Sequence, residues 1–226
     1  MDPDQALDIP LFPVADAVCF PGTELSLEVA EESQRRLIAE LGGGATSGWL
    51  GVVLVKPGWG GGAGSPPVFP AGTACQVVRV ETSDDGRLRL VVRGSHRFLI
   101  EKERHDGICL RARVRLVAET GLDEGESGVR ALRQALCERL LAAREAMGDS
   151  FPLSASEVDA ALDAPIEELV NRVAGRFDMP PLRKLELLTY PLPDRALELL
   201  GILRSRTKLL QLLRPYRRLA ANSEWN

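Results

Sequence analysis

The chain has 226 residues, of which 45% are hydrophobic and 27% are charged, and its formal net charge is −4. This balance is typical of globular proteins and excludes a fibrous repeat or a wholly disordered chain, while the length suits one large domain or two small ones. Residues 1–118 sum to −2, residues 119–203 to −7 and residues 204–226 to +5, so the protein as a whole is a poor candidate for wrapping nucleic acid.

The first half of the chain shows the alternation of apolar and polar residues that is typical of half-buried strands. In the clearest case, residues 108–118, apolar side chains face inward and Arg111, Arg113 and Arg115 face outward. Further strands are predicted near Leu7–Phe12, Leu25–Val29, Leu50–Val55, Cys75–Thr82, Leu88–Val92 and Arg97–Lys102. One helix is predicted at about Glu31–Leu41, ended by Gly42-Gly43-Gly44. Many short strands with a single helix favour a small, partly closed barrel over a parallel sheet.

A hairpin is predicted between Gly72 and Phe98. Its turn falls at Asp85-Gly86, because a two-residue primed turn needs positive φ at both central positions and Asp-Gly supplies that at little steric cost. His96, in Gly94-Ser95-His96-Arg97, is interpreted as part of a bend at a strand end.

Helix periodicity replaces strand periodicity at about residues 120–125. We therefore predict an α+β protein with a β-barrel domain over residues 1–122 and a helical bundle over residues 123–226. The first bundle helix is predicted over Ser127–Met147, and Ser154 and Glu157 have the spacing of a capping box that opens the second.

Prolines mark where the remaining helices are predicted to begin. Pro165 is placed in the first turn of the third helix, and Pro180-Pro181 separate it from the fourth, in which Leu182, Leu185 and Leu188 are expected to point to the core. Asp194 is the predicted N-cap of a long final helix. The leucines expected to line that helix are Leu197, Leu200, Leu203, Leu210 and Leu213.

Catalytic motifs are missing from the sequence. No glycine-rich segment ends in Gly-Lys-Ser/Thr, so a phosphate-binding loop is not predicted. His96 and His105 are the two histidines, and none of the four lysines follows a motif that would pair it with a serine nucleophile. We therefore predict a protein that is not an enzyme, with no catalytic, cofactor-binding or metal-binding residues.

Five residues are candidates for contacting a partner. Arg111, Arg113 and Arg115 could form a basic sheet face for acidic peptides or phosphate, or an exposed strand face that keeps the protein soluble. Trp59 and Phe69 lie in a Gly/Pro-rich segment with no obvious strand register, so they could contact apolar side chains of a partner or fold back over the end of the barrel. The basic tail could bind nucleic acid or complement a helix C-terminus.

A cytoplasmic location without membrane contact is expected. No run approaches the roughly 20 apolar residues of a membrane span, and Met1-Asp2-Pro3-Asp4 is acidic where a signal peptide is basic. Cys19, Cys75, Cys109 and Cys137 are widely spaced with no Cys-x-x-Cys, which favours buried free thiols over disulfides or a metal site.

Several ordered segments resemble the N-terminal domain of the ATP-dependent Lon protease. They are Ile9-Pro10-Leu11-Phe12-Pro13-Val14, Cys19-Phe20-Pro21-Gly22, Leu25-Ser26-Leu27-Glu28-Val29, Gly51-Val52-Val53-Leu54-Val55 and the hairpin from Gly72-Thr73 to Gly94-Ser95-His96-Arg97-Phe98. Residues 182–188 and 195–200 resemble the helical bundle that follows in bacterial Lon. After the second strand only Glu31 matches the family pattern, which fits a stand-alone relative.

The resemblance implies a PUA-like barrel joined to a helical bundle that recognises unfolded or tagged proteins. It implies that the ATPase and the Ser–Lys peptidase of Lon would lie further along a longer chain. The first hypothesis is thus a non-catalytic module that binds polypeptide substrates or a protease partner, as an adaptor or regulator of proteolysis. The alternatives are an RNA- or DNA-binding PUA-like protein and a part of an ATP-dependent peptidase system.

Overall fold

The computed structural model describes residues 6–29, 31–41, 48–60, 65–82, 87–105, 109–119 and 122–221. Strands and helices follow one another along the chain largely as the sequence predicts. The strands are β1 (Ala6–Val14), β2 (Glu24–Val29), β3 (Trp49–Val55), β4 (Val68–Thr82), β5 (Leu88–His105) and β6 (Leu110–Val117). The helices are α1 (Glu32–Glu40), α2 (Ser127–Met147), α3 (Ala155–Asp163), α4 (Ile166–Arg176), α5 (Pro181–Thr189) and α6 (Leu192–Ala221).

The strands form one sheet in the order β2-β5-β4-β3-β1-β6, and β6 also pairs with β5. The pairings therefore form a circuit from β5 through β4, β3, β1 and β6 back to β5, with β2 attached outside it. β1 and β3 are parallel, and the other pairs are antiparallel.

Two strands are longer than predicted. β4 begins at Val68 rather than Cys75, and β5 continues where two strands were expected. Register shifts at Ala74/Cys75, Val77/Arg79 and Ile100/Lys102 let these strands bend without ending. The Asp85-Gly86 turn and the Gly42-Gly43-Gly44 helix stop lie outside the described residues.

The sheet is covered on both faces. Successive residues of a strand point to opposite sides, and accordingly Leu11 and Val53 belong to one apolar cluster while Phe12 and Val52 belong to the other. The first cluster contains Phe98 and the inward side chains of β6; the second contains Leu37 of α1 and residues of β2. The predicted inward face of β6 is confirmed for Leu110, Ala112, Val114 and Leu116, which are all buried. The strand ends at Val117, so Ala118 is exposed, and residue 108 lies outside the described residues.

The chain divides into two compact units. Unit 1 comprises Met1–Glu119 with Asp178–Thr189, and unit 2 comprises Thr120–Phe177 with Tyr190–Asn226. Helix α5 therefore belongs with the sheet, which a single boundary after residue 122 does not anticipate; that two-domain division stays a prediction, and residues 120 and 121 lie outside the described residues.

The prediction that three leucines of α5 point to the core is partly wrong. Leu185 and Leu188 are buried but Leu182 is exposed, and Leu187 is buried in its place. Among the leucines predicted to line α6, Leu200 and Leu203 are buried, Leu210 is half-buried, and Leu197 and Leu213 are exposed. Leucine spacing alone does not distinguish the two faces of a helix that is rich in leucine on both.

The start of α6 differs as well. The helix begins at Leu192, so Asp194 lies in its first turn and is not the N-cap. Pro193 is tolerated there because the first-turn N–H groups have no partner within the helix. Pro165 occupies the N-cap position of α4, one residue earlier than expected.

The capping box of α3 gives a pH-dependent contribution to the stability of unit 2. The Glu157 amide donates to Ser154 Oγ at 3.3 Å, and the Ser154 amide donates to Glu157 Oε2 at 2.8 Å. Hydrogen bonds from Ser154 lower the pKa of Glu157 below its ordinary value of 4.5. Because the folded pKa is lowered, the contribution is full above pH 4.5 and is lost as the pH falls through the folded pKa.

We expect Glu157→Gln to abolish this part of the acid sensitivity. The melting temperature of the wild type should exceed that of the variant at pH 7, and the difference should shrink between pH 5 and pH 3, as thermal melts followed by circular dichroism would record. Ser154→Ala, which removes the cap itself, should cost about 1 kcal/mol. A wild-type advantage that grows on acidification would contradict the assignment.

Candidate functional site

Two of the predicted arginines share one carboxylate on the outer face of β6. Arg113 Nε and Arg115 Nε each lie 3.7 Å from a carboxylate oxygen of Glu101 on β5. Both guanidinium groups are half-exposed, because these residues alternate with the buried Ala112, Val114 and Leu116. Glu101 offsets part of the charge of these two cations, and Asp8 on β1 is directly opposite Arg113 in the strand register. The remaining N–H groups of the two guanidinium groups can donate to a further acceptor.

Arg111 lies in a different environment from the other two arginines. It forms an ion pair with Glu40 at the end of α1, and its side chain is less exposed than those of Arg113 and Arg115. This ion pair connects β6 to α1 within unit 1.

Leu99 adds an apolar side chain to the same face. It alternates with Phe98 and Ile100, which pack in the inner core, so it points outward. Leu99 is 36% exposed and is directly opposite Arg115 on β6 and Ala71 on β4. The sequence prediction omitted Leu99, although the alternation within Arg97–Lys102 carries the signal that finds it.

The sequence interpretation placed Phe69 in a loop, but the structure places it in strand β4. β4 begins at Val68, and Val68 and Gly72 pair with inward positions of β3. Phe69 is half-buried and lies two positions before Ala71, which is directly opposite Leu99. Pro70 explains why the segment was not recognised: it lacks an N–H for the ladder, and the β3–β4 register shifts opposite it.

Trp59 is exposed on the connection between β3 and β4. It is 38% exposed, and it follows Gly58, whose φ of 91° favours glycine. The Lys56 amide donates to the Pro67 carbonyl at 2.8 Å and closes the base of this connection. Phe69 follows that base by two residues, so the two aromatic residues belong to the same end of the sheet.

We define the outer face as Leu99, Phe69, Arg113 and Arg115. Strand register places Leu99 beside Arg115, and Glu101 lies close to both Arg113 and Arg115. Phe69 lies two positions before Ala71, the β4 partner of Leu99, and Trp59 is on the connection that precedes β4. Arg111 is held separately by Glu40.

Helix α5 limits this face. Arg97, two residues before Leu99, is only 5% exposed. Its Nη1 donates to the Leu188 carbonyl of α5 at 2.9 Å, and its Nε lies 2.5 Å from Glu119. The outward side of β5 is therefore covered by α5 at Arg97 and open at Leu99.

Two further side chains of unit 1, His96 and Cys75, have pKa values that are shifted in the direction of the neutral form. Ser95 Oγ lies 2.8 Å from His96 Nδ1, and burial lowers the pKa of His96. The two residues lie within β5 beside a register shift and not at a strand end. Burial, with a hydrogen bond involving Cys19, raises the pKa of the Cys75 thiol, which makes it a poor nucleophile. The predicted burial of Cys19, Cys75 and Cys109 is confirmed, while Cys137 is half-buried.

Unit 2 contains an open cavity of about 580 Å³. It lies between the end of α2 and the start of α3, and its lining includes Leu141, Arg144 and Phe151. None of the predicted partner-contacting residues lies there. Across the described ranges, no group of three His, Cys, Asp or Glu side chains could hold a metal ion, and no helix has the length and apolar character of a membrane span.

Comparison with known families and proteins identifies relatives over most of the chain. The family of the ATP-dependent protease La (LON) substrate-binding domain matches residues 8–205. Lon protease of Paraburkholderia phytofirmans is 32% identical over 228 aligned positions, which cover 93% of this chain and 25% of that protein. Lon protease of Cytophaga hutchinsonii is 27% identical over 58% of this chain and 16% of its own length. The chain thus spans a quarter or less of these relatives.

Solved structures with the same fold carry related descriptions. A Lon N-terminal domain protein from Xanthomonas campestris superposes with a TM-score of 0.60 at 24% identity, covering 86% of this chain and 98% of that one. The N-terminal domain of a Mycobacterium avium complex Lon protease gives a TM-score of 0.64 at 21% identity, covering 89% and 98%. At these identities the likeness establishes the fold.

Proposed function

Because the chain belongs to the family of Lon substrate-binding domains, we propose that it is a non-catalytic module that binds extended polypeptide segments through the outer face. The single observation that carries the proposal is the placement of the exposed Leu99 directly beside Arg115, whose charge is only partly offset by Glu101. Apolar and acidic side chains of an unfolded segment are complementary to these two features.

Desolvation of apolar side chains on the outer face would drive binding. Leu99 and Phe69 keep apolar surface in water, and covering it releases free energy in proportion to the area buried. The guanidinium groups of Arg113 and Arg115 are 3.7 Å from Glu101, so an incoming carboxylate can take bidentate hydrogen bonds without breaking a short ion pair. A folded protein presents such paired apolar and acidic residues less often than an unfolded one.

Trp59 extends the proposed contact beyond the strands. Large amphipathic rings contribute heavily to interfaces because they bury much area at low entropic cost. Its place on the β3–β4 connection lets it contact a segment that runs along the outer face. Arg111, which is paired with Glu40, contributes charge at the edge of this surface.

The same proposal includes the type of scaffold and the role of the module in proteolysis. The closed circuit of pairings among β5, β4, β3, β1 and β6 supports a PUA-like barrel as the scaffold. An adaptor or regulator role, in which the module presents polypeptide to a protease partner in the cytoplasm, fits a family whose named relatives are Lon proteases.

The proposal is tested by fluorescence anisotropy with a labelled, permanently unfolded polypeptide such as β-casein. We expect Leu99→Ser and Trp59→Ala each to weaken binding about tenfold, the change that corresponds to roughly 1.4 kcal/mol. Arg115→Gln should weaken binding to acidic segments more than to neutral ones. The polypeptide should stay intact on a gel after incubation with ATP.

A matched control is Leu182→Ser, which removes another exposed leucine of unit 1, on α5. It should bind as the wild type does. Equal affinity of the wild type, Leu99→Ser and Trp59→Ala would overturn the assignment to the outer face. Cleavage of the polypeptide by the purified chain would instead favour the peptidase alternative.

The nucleic-acid alternative has a distinct signature. Contacts between arginines and phosphate release counterions, so the affinity would fall steeply as salt is added. Leu99 would then matter little, since neutralising phosphate does not need an apolar side chain, whereas Trp59 could still stack on a base. Tight RNA binding that is unaffected by Leu99→Ser would support that alternative over the polypeptide-binding one.

A further inference from the structure

Strand β2 is hydrogen-bonded along one edge only. It pairs with β5, whereas each of the other described strands pairs with at least two strands. The Gly94 amide of β5 donates to the Thr23 carbonyl at 2.9 Å, and the register that follows has no shift. Because successive residues of a strand direct their backbone groups to alternate edges, those of Glu24, Ser26 and Glu28 point away from β5. We call these three residues the β2 edge.

The β2 edge is open to an added strand. All three of its residues are exposed, and no other described residue bonds to their backbone N–H and C=O groups. Edges are commonly blocked by lysine, proline or an inward-pointing charge. β2 contains none of these, since its inward side chains are Leu25, Leu27 and Val29.

The side chains beside the β2 edge favour a segment with alternating character. In an added antiparallel strand, the residues directly opposite the β2 edge exchange hydrogen bonds with it and carry their side chains on the exposed side. The residues between them lie beside Leu25 and Leu27, at the margin of the apolar cluster that contains Val77 and Leu90. Apolar residues at these positions would extend that cluster.

The charges beside the β2 edge favour basic residues at the exposed positions. Glu24 is paired with Arg93 and Arg79. Glu28 forms no ion pair with a described residue, although Arg89 is directly opposite it on β5. These arginines lie at least one strand further from an added segment than the glutamates do. Since opposite charges directly across a strand pair are stabilising and like charges are destabilising, lysine in the added strand is preferred to an acid.

A second copy of β2 is a poor occupant of this edge. Full pairing of two β2 edges about a two-fold axis would place Ser26 opposite Ser26 and Glu24 opposite Glu28. The like-charge pair would occur twice by symmetry. The charges therefore favour a basic segment of another chain.

We propose that the β2 edge binds an extended polypeptide segment as an added strand, with apolar and basic residues alternating along the segment. The proposal rests on the proposed function in taking polypeptide as the ligand, and it assigns a second surface to unit 1. Residues 88–93 of β5 pair with β2, whereas Leu99 is opposite β6. Main-chain hydrogen bonds supply the affinity in this mode, and side chains at alternate positions supply the preference.

The test is fluorescence anisotropy with labelled peptides of about eight residues, enough to span β2. A peptide of alternating valine and lysine should bind. The same peptide N-methylated at its lysines should bind about tenfold more weakly or less, because the methyl groups remove the donors that face the β2 edge. A peptide of alternating valine and glutamate should bind about threefold more weakly or less.

Variants of the β2 edge separate backbone pairing from side-chain contacts. Ser26→Pro removes an N–H that points away from β5, so it breaks no existing ladder bond; it should weaken binding of the lysine peptide about tenfold. Ser26→Ala keeps the N–H and should bind as the wild type does. Glu28→Lys changes only an exposed side chain and should reverse the preference between the lysine and glutamate peptides.

The outcomes distinguish this edge from the outer face. No binding of the lysine peptide by the wild type, equal binding of its N-methylated form, or wild-type affinity in Ser26→Pro would overturn the β2 edge, even if Leu99→Ser still weakens binding of β-casein. An unchanged peptide preference in Glu28→Lys would also overturn it. Weaker peptide binding in Ser26→Pro, together with equal β-casein binding by the wild type and Leu99→Ser, would support the β2 edge and overturn the outer face.

Discussion

Replacing Arg97 with methionine should destabilise unit 1 by about 3–5 kcal/mol, the cost of removing one partner of a buried ion pair. Arg97 is 5% exposed, and its Nε lies 2.5 Å from Glu119, which is itself mostly buried. Methionine roughly keeps the volume but removes the guanidinium that lies beside the Glu119 carboxylate. It also leaves the Leu188 carbonyl without the donor that holds it at 2.9 Å.

The loss should be largest where α5 meets the sheet. The Leu188 carbonyl belongs to the end of Pro181–Thr189, a segment that joins unit 1 although the chain on both sides of it belongs to unit 2. Without Arg97, that segment keeps the apolar contacts of Leu185, Leu187 and Leu188 but loses its polar anchor. Hydrogen exchange should therefore accelerate in α5 before it does in the centre of β5.

The measurement is urea unfolding, together with hydrogen exchange read by mass spectrometry. Arg93→Met is the matched control, because Arg93 is on the same strand but its ion pair with Glu24 is exposed; it should cost about 0–1 kcal/mol. The double variant Arg97→Met/Glu119→Gln should recover part of the loss, since it also removes the buried negative charge that Arg97 stabilises. Unfolding of Arg97→Met within 1 kcal/mol of the wild type would show that α5 docks without this anchor.

The sequence predicted elements whose limits are set by local chemistry. Helix α2 has the predicted bounds, because an apolar stripe runs up to Gly148, whose φ of 57° suits glycine. The inward face of β6 follows from strict alternation. β5 was predicted as two strands because Gly94 interrupts the pattern, and only its pairing with Cys75 on β4 shows that the strand continues.

The sequence predicts which side chains of the site's strands point outward, but it does not predict where the exposed face ends. The outward positions of Arg113 and Arg115 follow from period-2 alternation, and the same rule would have added Leu99. The burial of Arg97 depends on Leu188, which is 91 positions away, and no local pattern carries that contact. Phe69 was assigned to a loop because Pro70 and Gly72 resemble loop residues, whereas both are accommodated inside β4.

Substituting Gly94 with alanine should destabilise unit 1 by about 3 kcal/mol, at the upper end of the range for overpacked sites. A Cβ on Gly94 would lie 2.3 Å from the Phe20 carbonyl oxygen and 3.0 Å from Cys19 Sγ. The nearer atom belongs to the backbone and cannot rotate away. The Gly94 amide also donates to the Thr23 carbonyl, and the Gly22 amide donates to the Gly94 carbonyl, both at 2.9 Å, so relieving the clash strains two hydrogen bonds.

The expected loss has a specific location, because Gly94 contacts the segment that leads into β2. Moving Phe20 away should loosen residues 19–23 and the start of β2, which pairs with β5 at Glu24 and Arg93. Gly128→Ala is the matched control: a Cβ there meets nothing within 4 Å, and alanine in α2 should leave stability unchanged or raise it. Thermal melts of both variants show whether the loss comes from the close approach of the Phe20 backbone to residue 94, because a general effect of replacing glycine by alanine would appear in Gly128→Ala as well. If Gly94→Ala has the melting temperature of the wild type, then Phe20 moves away from the added Cβ with little loss of stability. A glycine at this position would then not be needed for packing.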